Sequence, residues 1–473
     1  MLKSQNHIPD HVRKIHLVAV CGTGMGALAC MLKEQGFEIS GSDQKIYPPM
    51  SDFLMERGIS IRDGFKPEHI SDELDLVIVG NAVSRDNPEI KKMSVMGLPF
   101  CSMPQALNRF VVADKKTLLI AGTHGKTTTS SILAWMLYKA GLDPSFMIGG
   151  ILQNFNSNYR LGAGEHIVIE GDEYDTAFFD KGPKFMHYQP AMSVLTGVEF
   201  DHADIFRDLN HVQEAFGCFI SRLDRSSLLL TFDGDRNLQN LISTAGCRVE
   251  FYGKNRSSDW CLGDVSIDPP WTLFEVHKSG TRFGRFKTQL IGNHNLFNAL
   301  SVVAMAHHLG VPAEGISDAL ETFEGIKRRQ QIRGHKNQII VMDDFAHHPT
   351  AVSETLAAVK TFYSQNRLVA VFEPRTNSSM RKVFQTVYPA SFDFADLICI
   401  RRPPLLEKIP ARERFSSEQL VADLKKKGKD AHFFADTDSI IAFLAREAIP
   451  GDIILVMSNG GFDNIHTKLL ERL

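Results

Sequence analysis

The chain has 473 residues, 43% hydrophobic and 23% charged, with a formal net charge of −3. That length predicts two to four domains, and the near-neutral charge argues against a general nucleic-acid binder. Its seven Cys form no C-x-x-C pair and read as reduced thiols of a cytoplasmic protein rather than a disulfide framework or zinc site.

In chain order, Arg13 and Lys14 precede an apolar stretch from Leu17 to Leu32 that resembles a signal peptide. Gly22, Gly24 and Gly26 interrupt it, which suits a turn better than an inserted core. No other segment reaches about 18 apolar residues, so no membrane helix is expected. The first block predicts strands at Ile15–Val20, Glu38–Ser42 and Leu76–Gly80, with a helix at Ala27–Gln35. Gly22-Thr23-Gly24-Met25-Gly26 lies between strand and helix, and Asp43 ends the next strand. The pattern is that of a nucleotide turn with an acidic residue for a ribose or base. Its third Gly comes one residue early, and a nucleoside diphosphate, a dinucleotide and a structural turn all remain open.

The most informative stretch is Leu118 to Thr129, where an apolar run enters Gly122-Thr123-His124-Gly125-Lys126-Thr127-Thr128-Thr129 and then a helical pattern. Such a loop presents backbone N–H groups to phosphates, a Lys to the β/γ oxygens and a Thr hydroxyl to Mg²⁺. The first Gly of G-x-x-x-x-G-K-[ST] falls on Ile120, so the loop is short. Replacing Lys126 is expected to abolish ADP release with little effect on folding.

Further strands are expected at Thr117–Ala121, His166–Glu170 and Ala191–Thr196, and a helix at Asn295–Leu309. Ser257–Gly292 reads as a small antiparallel insertion. Glu170, Asp172, Glu173 and Asp175 cluster at one strand end, where one or two carboxylates suit Mg²⁺; Glu170 is favoured because it ends the strand, though Glu173 stays open. Glu199-Phe200-Asp201-His202-Ala203-Asp204 follows the next strand, with His202 a candidate ligand for metal or phosphate. Asn293 to Asn298 open a helix and suit either an adenine edge or an N-cap. Lys327-Arg328-Arg329 and Arg333 offer phosphate partners or a solvated charge run. The third block predicts strands at Gln338–Met342, Leu368–Phe372, Leu397–Ile400 and Asp452–Met457. Asp343 to Thr350 ends the first of these, with Asp344 for ribose, the His347-His348 pair for phosphate or substrate, and Thr350 as a helix cap. Alternating strands and helices imply parallel sheets with ligands at the strand C-terminal ends.

Together and in this order, these motifs resemble the Mur ligase family, ATP-dependent amide-forming enzymes of cell-wall precursor synthesis. The resemblance covers nearly the whole chain, and the short Gly-Thr-His-Gly-Lys-Thr-Thr-Thr loop is the family's own form. It implies three α/β domains: a Rossmann-like domain at 1–113 for the UDP substrate, a P-loop ATPase-like domain with a parallel sheet at 114–326 for ATP, and a Rossmann-like domain at 327–473 that closes on ATP and brings the amine. Carried over, Gly22 to Gly26, Ser42, Asp43 and Asn81 would hold UDP. Gly122 to Thr128, Asn298, Arg329 and Asp344 would hold ATP, and Thr127, Glu170 and His202 would hold Mg²⁺; Lys126, Glu170 and His202 are the catalytic candidates. The helix at about His211 to Leu223 lacks the Lys that several members carbamylate, which agrees with the branch acting on UDP-N-acetylmuramate.

Within that branch, Tyr47 to Ser51, Glu199 to Phe206, Glu373-Pro374-Arg375-Thr376-Asn377-Ser378, and Met457 to Phe462 with His466 resemble enzymes that add the tripeptide L-alanyl-γ-D-glutamyl-meso-diaminopimelate. The His-Arg-Tyr-x-Arg run usual in L-alanine enzymes is missing after Pro374. His347, His348, Arg375, Ser458 and Asn459 are then the candidates for the amino substrate, with L-alanine the alternative amine. A nicotinamide-dependent oxidoreductase is the remote alternative, and it leaves the phosphate loop unexplained. Neither a nucleic acid nor a membrane is expected as partner, and the oligomeric state stays open.

Overall fold

A computed structural model describes residues 2–44, 46, 50–203 and 205–473. The Tyr47-Pro48-Pro49 part of one resemblance segment and Asp204 of another lie outside the described residues. The first sheet holds β1 (Lys14–Val18), β2 (Glu38–Asp43), β3 (Ser60–Asp63), β4 (Leu76–Val79) and β5 (Phe100–Ser102), all parallel, in the order β3-β2-β1-β4-β5. Helix α1 (Thr23–Glu34) follows β1 through the Gly turn and starts earlier than periodicity predicts. A Cβ at Gly26 would stand 2.5 Å from Met50 Cε and 3.3 Å from the Val20 carbonyl, so this Gly serves helix–strand packing. Helix α2 (Pro88–Met96) starts from the Asn87 cap and delivers Glu89 beneath the sheet. There Glu89 is fully buried, accepting from Ser42 Oγ at 2.6 Å and meeting His69 Nδ1 at 2.6 Å and His16 Nε2 at 3.8 Å.

The central sheet has ten strands. Its parallel core runs β14 (Arg248–Gly253), β13 (Leu228–Phe232), β12 (Pro190–Leu195), β6 (Lys116–Ala121), β9 (His166–Gly171) and β7 (Ser145–Leu152). Strand β8 (Ser157–Arg160) closes one edge antiparallel to β7, and β10 (Asp175–Ala177) with β11 (Asp180–Pro183) form a separate hairpin. At the other edge stand β15 (Trp260–Asp268), β16 (Trp271–Lys278) and β17 (Thr281–Thr288). The expected antiparallel insertion is thus part of this sheet: β15 pairs with β14 in parallel and turns the meander on from there. The sheet is accordingly mixed rather than parallel throughout.

Strand β6 shows why an apolar run was needed. Leu118 and Ile120 pack against α3 (Lys126–Lys139) and α5 (Asn293–His308), while Leu119 and Ala121 face the core holding Phe185 and α4 (Leu209–Ser221). Both faces are sealed, so alternation is lost and each large side chain contributes roughly 2 kcal/mol by burial.

The third sheet runs β18 (Gln331–Lys336), β19 (Ile339–Asp344), β23 (Ile453–Met457), β20 (Leu368–Phe372), β21 (Leu397–Arg401) and β22 (Asp430–Phe434), parallel except for β18. Helix α6 (Pro349–Phe362) follows β19. The domains interlock. Tyr159 of β8 donates to Glu34 at 2.6 Å and receives Arg57 Nε at 2.9 Å, and the Arg57 guanidinium lies 3.6 Å from the Phe53 ring centre. The third domain docks on the loop after β12, where Thr350 Oγ1 donates to Glu199 at 2.7 Å and the Ala203 N–H donates to Ser378 Oγ at 3.1 Å. No helix among the described residues is long and apolar enough to cross a membrane.

Candidate active site

The C-terminal ends of the three sheets converge on one cleft of about 1320 Å³. At its centre the β6–α3 loop bends through Gly122 (φ 124°) and Gly125 (φ 80°). A side chain at Gly125 would stand 2.6 Å from Asn298 Oδ1, and one at Gly122 would stand within 3 Å of Thr196 and the Gly197 carbonyl. Positive φ and close approach together demand glycine. The loop hydroxyl Thr123 Oγ1 accepts the Glu199 N–H at 2.9 Å, and the His124 carbonyl accepts Thr196 Oγ1, so the segment after β12 fixes the cradle from behind.

The Lys126 ammonium is turned back onto its own loop at the cleft wall. It donates to the Gly122 carbonyl at 2.6 Å and the Thr123 carbonyl at 3.2 Å, and pairs with Glu173 at 2.9 Å. Burial works against its charge, but Glu173, Asp172 and Glu170 more than restore it, and its pKa stands above the usual lysine value. Glu173 is 2% exposed and also meets His202 Nε2 at 3.0 Å. Burial opposes its charge as well, yet Lys126 and His202 hold it below the usual carboxylate value. His202 stands at φ 54°, a left-handed position that turns its ring toward Glu173.

Glu170 is arranged differently. It lines the cleft, accepting the Gly149 N–H at 2.7 Å and the Thr127 hydroxyl at 3.3 Å. Burial, with the charge of Asp172, pushes it up to about 7 despite Gly149, Lys126 and Arg329. Thr127 and Glu170 put two hard oxygens side by side at the foot of the loop, the donor set Mg²⁺ takes alongside phosphate oxygens. The chemistry of these residues therefore fits that ion. The expected trio is divided, however: Thr127 meets Glu170, whereas His202 meets Glu173. Glu173 is the lysine's buried counter-ion rather than an open ligand.

Of the nucleotide candidates, Thr123, His124, Gly125, Lys126, Thr127, Thr128, Asn298, Arg329 and Asp344 all line the cleft. Gly122 supports it from behind. Asn298 lies inside α5 and Gly292 is the N-cap, so the capping alternative for this Asn falls away. Arg329 reaches Thr127 Oγ1 at 3.5 Å and lies 4.7 Å from the Phe345 ring centre. Asp344 accepts the N–H groups of Gln330 at 2.8 Å and Ala346 at 2.7 Å.

In the first domain Gly22, Thr23, Gly24, Met25, Asp43 and Asn81 line the cleft, and Asp43 accepts the Cys21 N–H at 2.9 Å, bracing the turn. Ser42 does not line it: the pleat sends its side chain to the opposite face, onto Glu89. Gly26 is likewise a packing residue.

In the third domain His347, His348 and Asn459 line the cleft. Burial pushes His347 down to about 4, leaving it neutral, and Nδ1 lies 2.9 Å from the Phe345 carbonyl. His348, not Thr350, caps α6 by accepting the Thr350 N–H at 3.3 Å. Ser458 is turned inward and donates to the buried Glu373 at 2.7 Å, and Arg375 lies 3.4 Å from the same carboxylate, behind the cleft-lining Gly460.

Three contributors escaped the sequence reading. Lys184, after the β10–β11 hairpin, holds Asp172 at 3.1 Å and lines the cleft. Its signal was absent because no motif surrounds it. Gly149-Gly150 in β7 lets Thr127 and Ile326 approach within 3 Å of where a side chain would begin at Gly150, and the paired Gly in an apolar strand was a readable sign. Arg328, seen only as part of a charge run, stands at φ 64° and donates to the carbonyls of Ser458 at 2.5 Å and Gly460 at 2.6 Å.

The chain matches the Mur ligase family, catalytic domain over residues 14–115, the Mur ligase middle domain over 120–306, and the Mur ligase, glutamate ligase domain over 328–460. It is 38% identical over 461 residues, 97% of this chain and 98% of the other, to the UDP-N-acetylmuramate–L-alanyl-γ-D-glutamyl-meso-2,6-diaminoheptandioate ligase of Escherichia coli K12. The crystal structure of a murein peptide ligase from Psychrobacter arcticus covers 97% of this chain and 98% of its own, at 33% identity and a TM-score of 0.73. A UDP-N-acetylmuramate–alanine ligase from Thermotoga maritima covers 98% and 99%, at 25% identity and a TM-score of 0.81. Members of the family use ATP and Mg²⁺ to form amides. With three domain matches along its length, a glycine-shaped phosphate loop at the junction of three sheets and full-length relatives on either side, the chain belongs to the Mur ligase family and is an ATP-dependent amide-forming ligase.

Proposed function

We propose that this ligase joins the tripeptide L-alanyl-γ-D-glutamyl-meso-diaminopimelate to UDP-N-acetylmuramate, returning recycled peptide to cell-wall synthesis. The 38% identity over nearly the full length of a relative named for that reaction carries the reading. In it, residues 1–113 take the UDP substrate, 114–326 take ATP and 327–473 close over both with the amine. The lactyl carboxylate attacks the γ-phosphorus of ATP, ADP leaves, and the peptide's free amine displaces phosphate from the resulting acyl phosphate.

The first step brings an anion onto an anion, so charge neutralisation is the main contribution asked of the protein. Lys126 supplies a fixed positive charge whose protonation Glu173 secures. Mg²⁺, held by Thr127 and Glu170, would neutralise the β and γ oxygens when bound. Arg329, fixed over Phe345, reaches the phosphates from the interdomain linker, while Asp344 and Asn298 face the nucleoside. Docking of Thr350 and Ser378 on the loop after β12 sequesters the acyl phosphate from water. Arg375 and Asn459, beside Gly460 at the rim, take a carboxylate of the peptide after a rotation of the Arg375 side chain away from Glu373.

A second reading, L-alanine as the amine, is favoured by the higher TM-score to the alanine ligase. That score responds to the angle between domains as well as to the lining of the site, whereas identity follows the residues themselves. Phosphate release with ATP and UDP-N-acetylmuramate, supplied with either tripeptide or L-alanine, decides between them. A preference of at least about tenfold in kcat/KM for tripeptide is expected, about 1.4 kcal/mol of discrimination; preference for L-alanine overturns the substrate assignment.

A further inference from the structure

One cluster in the cleft brings together side chains whose shared geometry the reaction above does not explain. His124 on the phosphate loop, Glu199 after β12 and His348 at the start of α6 direct one ligand-type atom each to a common point, all within 4.8 Å of one another. His124 Nε2 lies 3.4 Å from Glu199 Oε2, and His348 Nδ1 lies 3.6 Å from the same oxygen. The two imidazole rings are 4.7 Å apart.

His124 Nε2 is shut off from solvent and makes no hydrogen bond despite its neighbour at 3.4 Å. An orphaned buried nitrogen costs free energy unless something else satisfies it. For His348, Nε2 lies 3.2 Å from the Phe200 carbonyl, which can only accept. The proton is thereby placed on Nε2, and Nδ1 keeps a lone pair, 3.6 Å from Glu199 Oε2. A backbone carbonyl behind a histidine in this way is the arrangement that orients metal-binding imidazoles. The Nδ1 lone pair has one competing partner, the Thr350 N–H at 3.3 Å, and Glu199 Oε2 has one, the Thr350 hydroxyl at 2.7 Å.

The spacing fits a small ion. Imidazole nitrogen and carboxylate oxygen bind zinc-class ions at about 2.0–2.2 Å, so neighbouring tetrahedral ligands stand about 3.4 Å apart. Two edges of the triangle already have that length within 0.2 Å. Two nitrogens with one oxygen select a borderline transition metal over Mg²⁺, which asks for oxygens. We propose that His124, Glu199 and His348 form a binding site for a zinc-class divalent cation, separate from the Thr127–Glu170 pair. Since His124 and Glu199 belong to the central domain and His348 to the third, the ion links the phosphate loop to the domain that closes on it. The proposal does not depend on which amine the ligase uses.

Titration of the full-length protein with Co²⁺ alone, followed by visible d–d absorption, tests it. A saturable tetrahedral band at one ion per chain is expected. His124→Ala, Glu199→Gln and His348→Gln should each weaken Co²⁺ binding at least about tenfold, while Glu170→Gln leaves the band unchanged. Circular dichroism of each variant checks the fold. Cu²⁺ bound to the unaltered protein gives a reading independent of any variant, with nitrogen hyperfine structure from two imidazoles expected in its electron paramagnetic resonance spectrum. Absence of a saturable band, a band lost in Glu170→Gln but kept in the other variants, or a Cu²⁺ spectrum without two nitrogens each overturns the proposal.

Discussion

Two buried carboxylates, Glu89 and Glu170, meet opposite fates. Both sit at the end of an apolar framework near histidine, lysine or hydroxyl groups. Glu89 gathers Ser42, His69 and the Lys66 N–H, with His16 close by, and stands at the positive end of α2. Burial pushes it up, but those partners outweigh burial and hold it below its ordinary value. Glu170 has one backbone N–H and one hydroxyl at 3.3 Å, and burial lifts it to about 7. A carboxylate with its donors complete is a fastener; one left short of them beside a phosphate loop is a place for a cation. The family resemblance placed Ser42 with the UDP substrate, and its hydrogen bond to Glu89 instead returns it to the fastener.

The largest effect that can break this contrast is on chemistry. Lys126→Ala is expected to lower phosphate release by about 1000-fold or more; turnover within tenfold of the parent would dissolve the assignment of the cleft. The loop alone suggested that folding would be spared, but the pairing with buried Glu173 corrects that, since removing one partner of a buried pair strands the other. Lys126→Met with Glu173→Gln should therefore regain thermal stability without regaining turnover.

Next in size is Glu89→Gln, expected to destabilise the first domain by about 3 kcal/mol, read from its urea transition. Because the folded carboxyl lies below its ordinary 4.5, its stabilising contribution is present above that pH and is lost as pH falls through the lower folded value. The variant should lose that acid-side dependence. An unchanged transition would make Glu89 no fastener at all.

The smallest effect runs the other way. Glu170 is raised in the folded state, so without ligand it weakens the fold progressively as pH rises from 4.5 toward 7. Glu170→Gln should remove that slope and raise the melting temperature at pH 8 by about 2 °C, while turnover falls. A lower melting temperature at pH 8 would place Glu170 with Glu89.

The contrast also marks what the chain disclosed before folding. The loop was legible because glycine was required at 122 and 125 by backbone angle and by Asn298, and such demands appear as residue types at fixed spacing. The apolar strands β6, β9 and β12 were legible because both their faces are sealed. The joining of the 260–288 meander to the central sheet was not, since the β14–β15 pairing is a matter of tertiary contact. Nor were the roles of Ser458 and Arg375, which depend on Glu373 being buried between them. His124, Glu199 and His348 come from distant parts of the chain, and no local pattern announces their meeting.

One further consequence follows from the posture of Lys126. With two carbonyls and a carboxylate already in hand, its charge is largely turned inward. Free phosphate, which brings no compensating cation, has to win the lysine away unaided. A nucleotide that arrives with Mg²⁺ is expected to win it more easily, so inorganic phosphate should compete weakly at the loop because of an internal competitor.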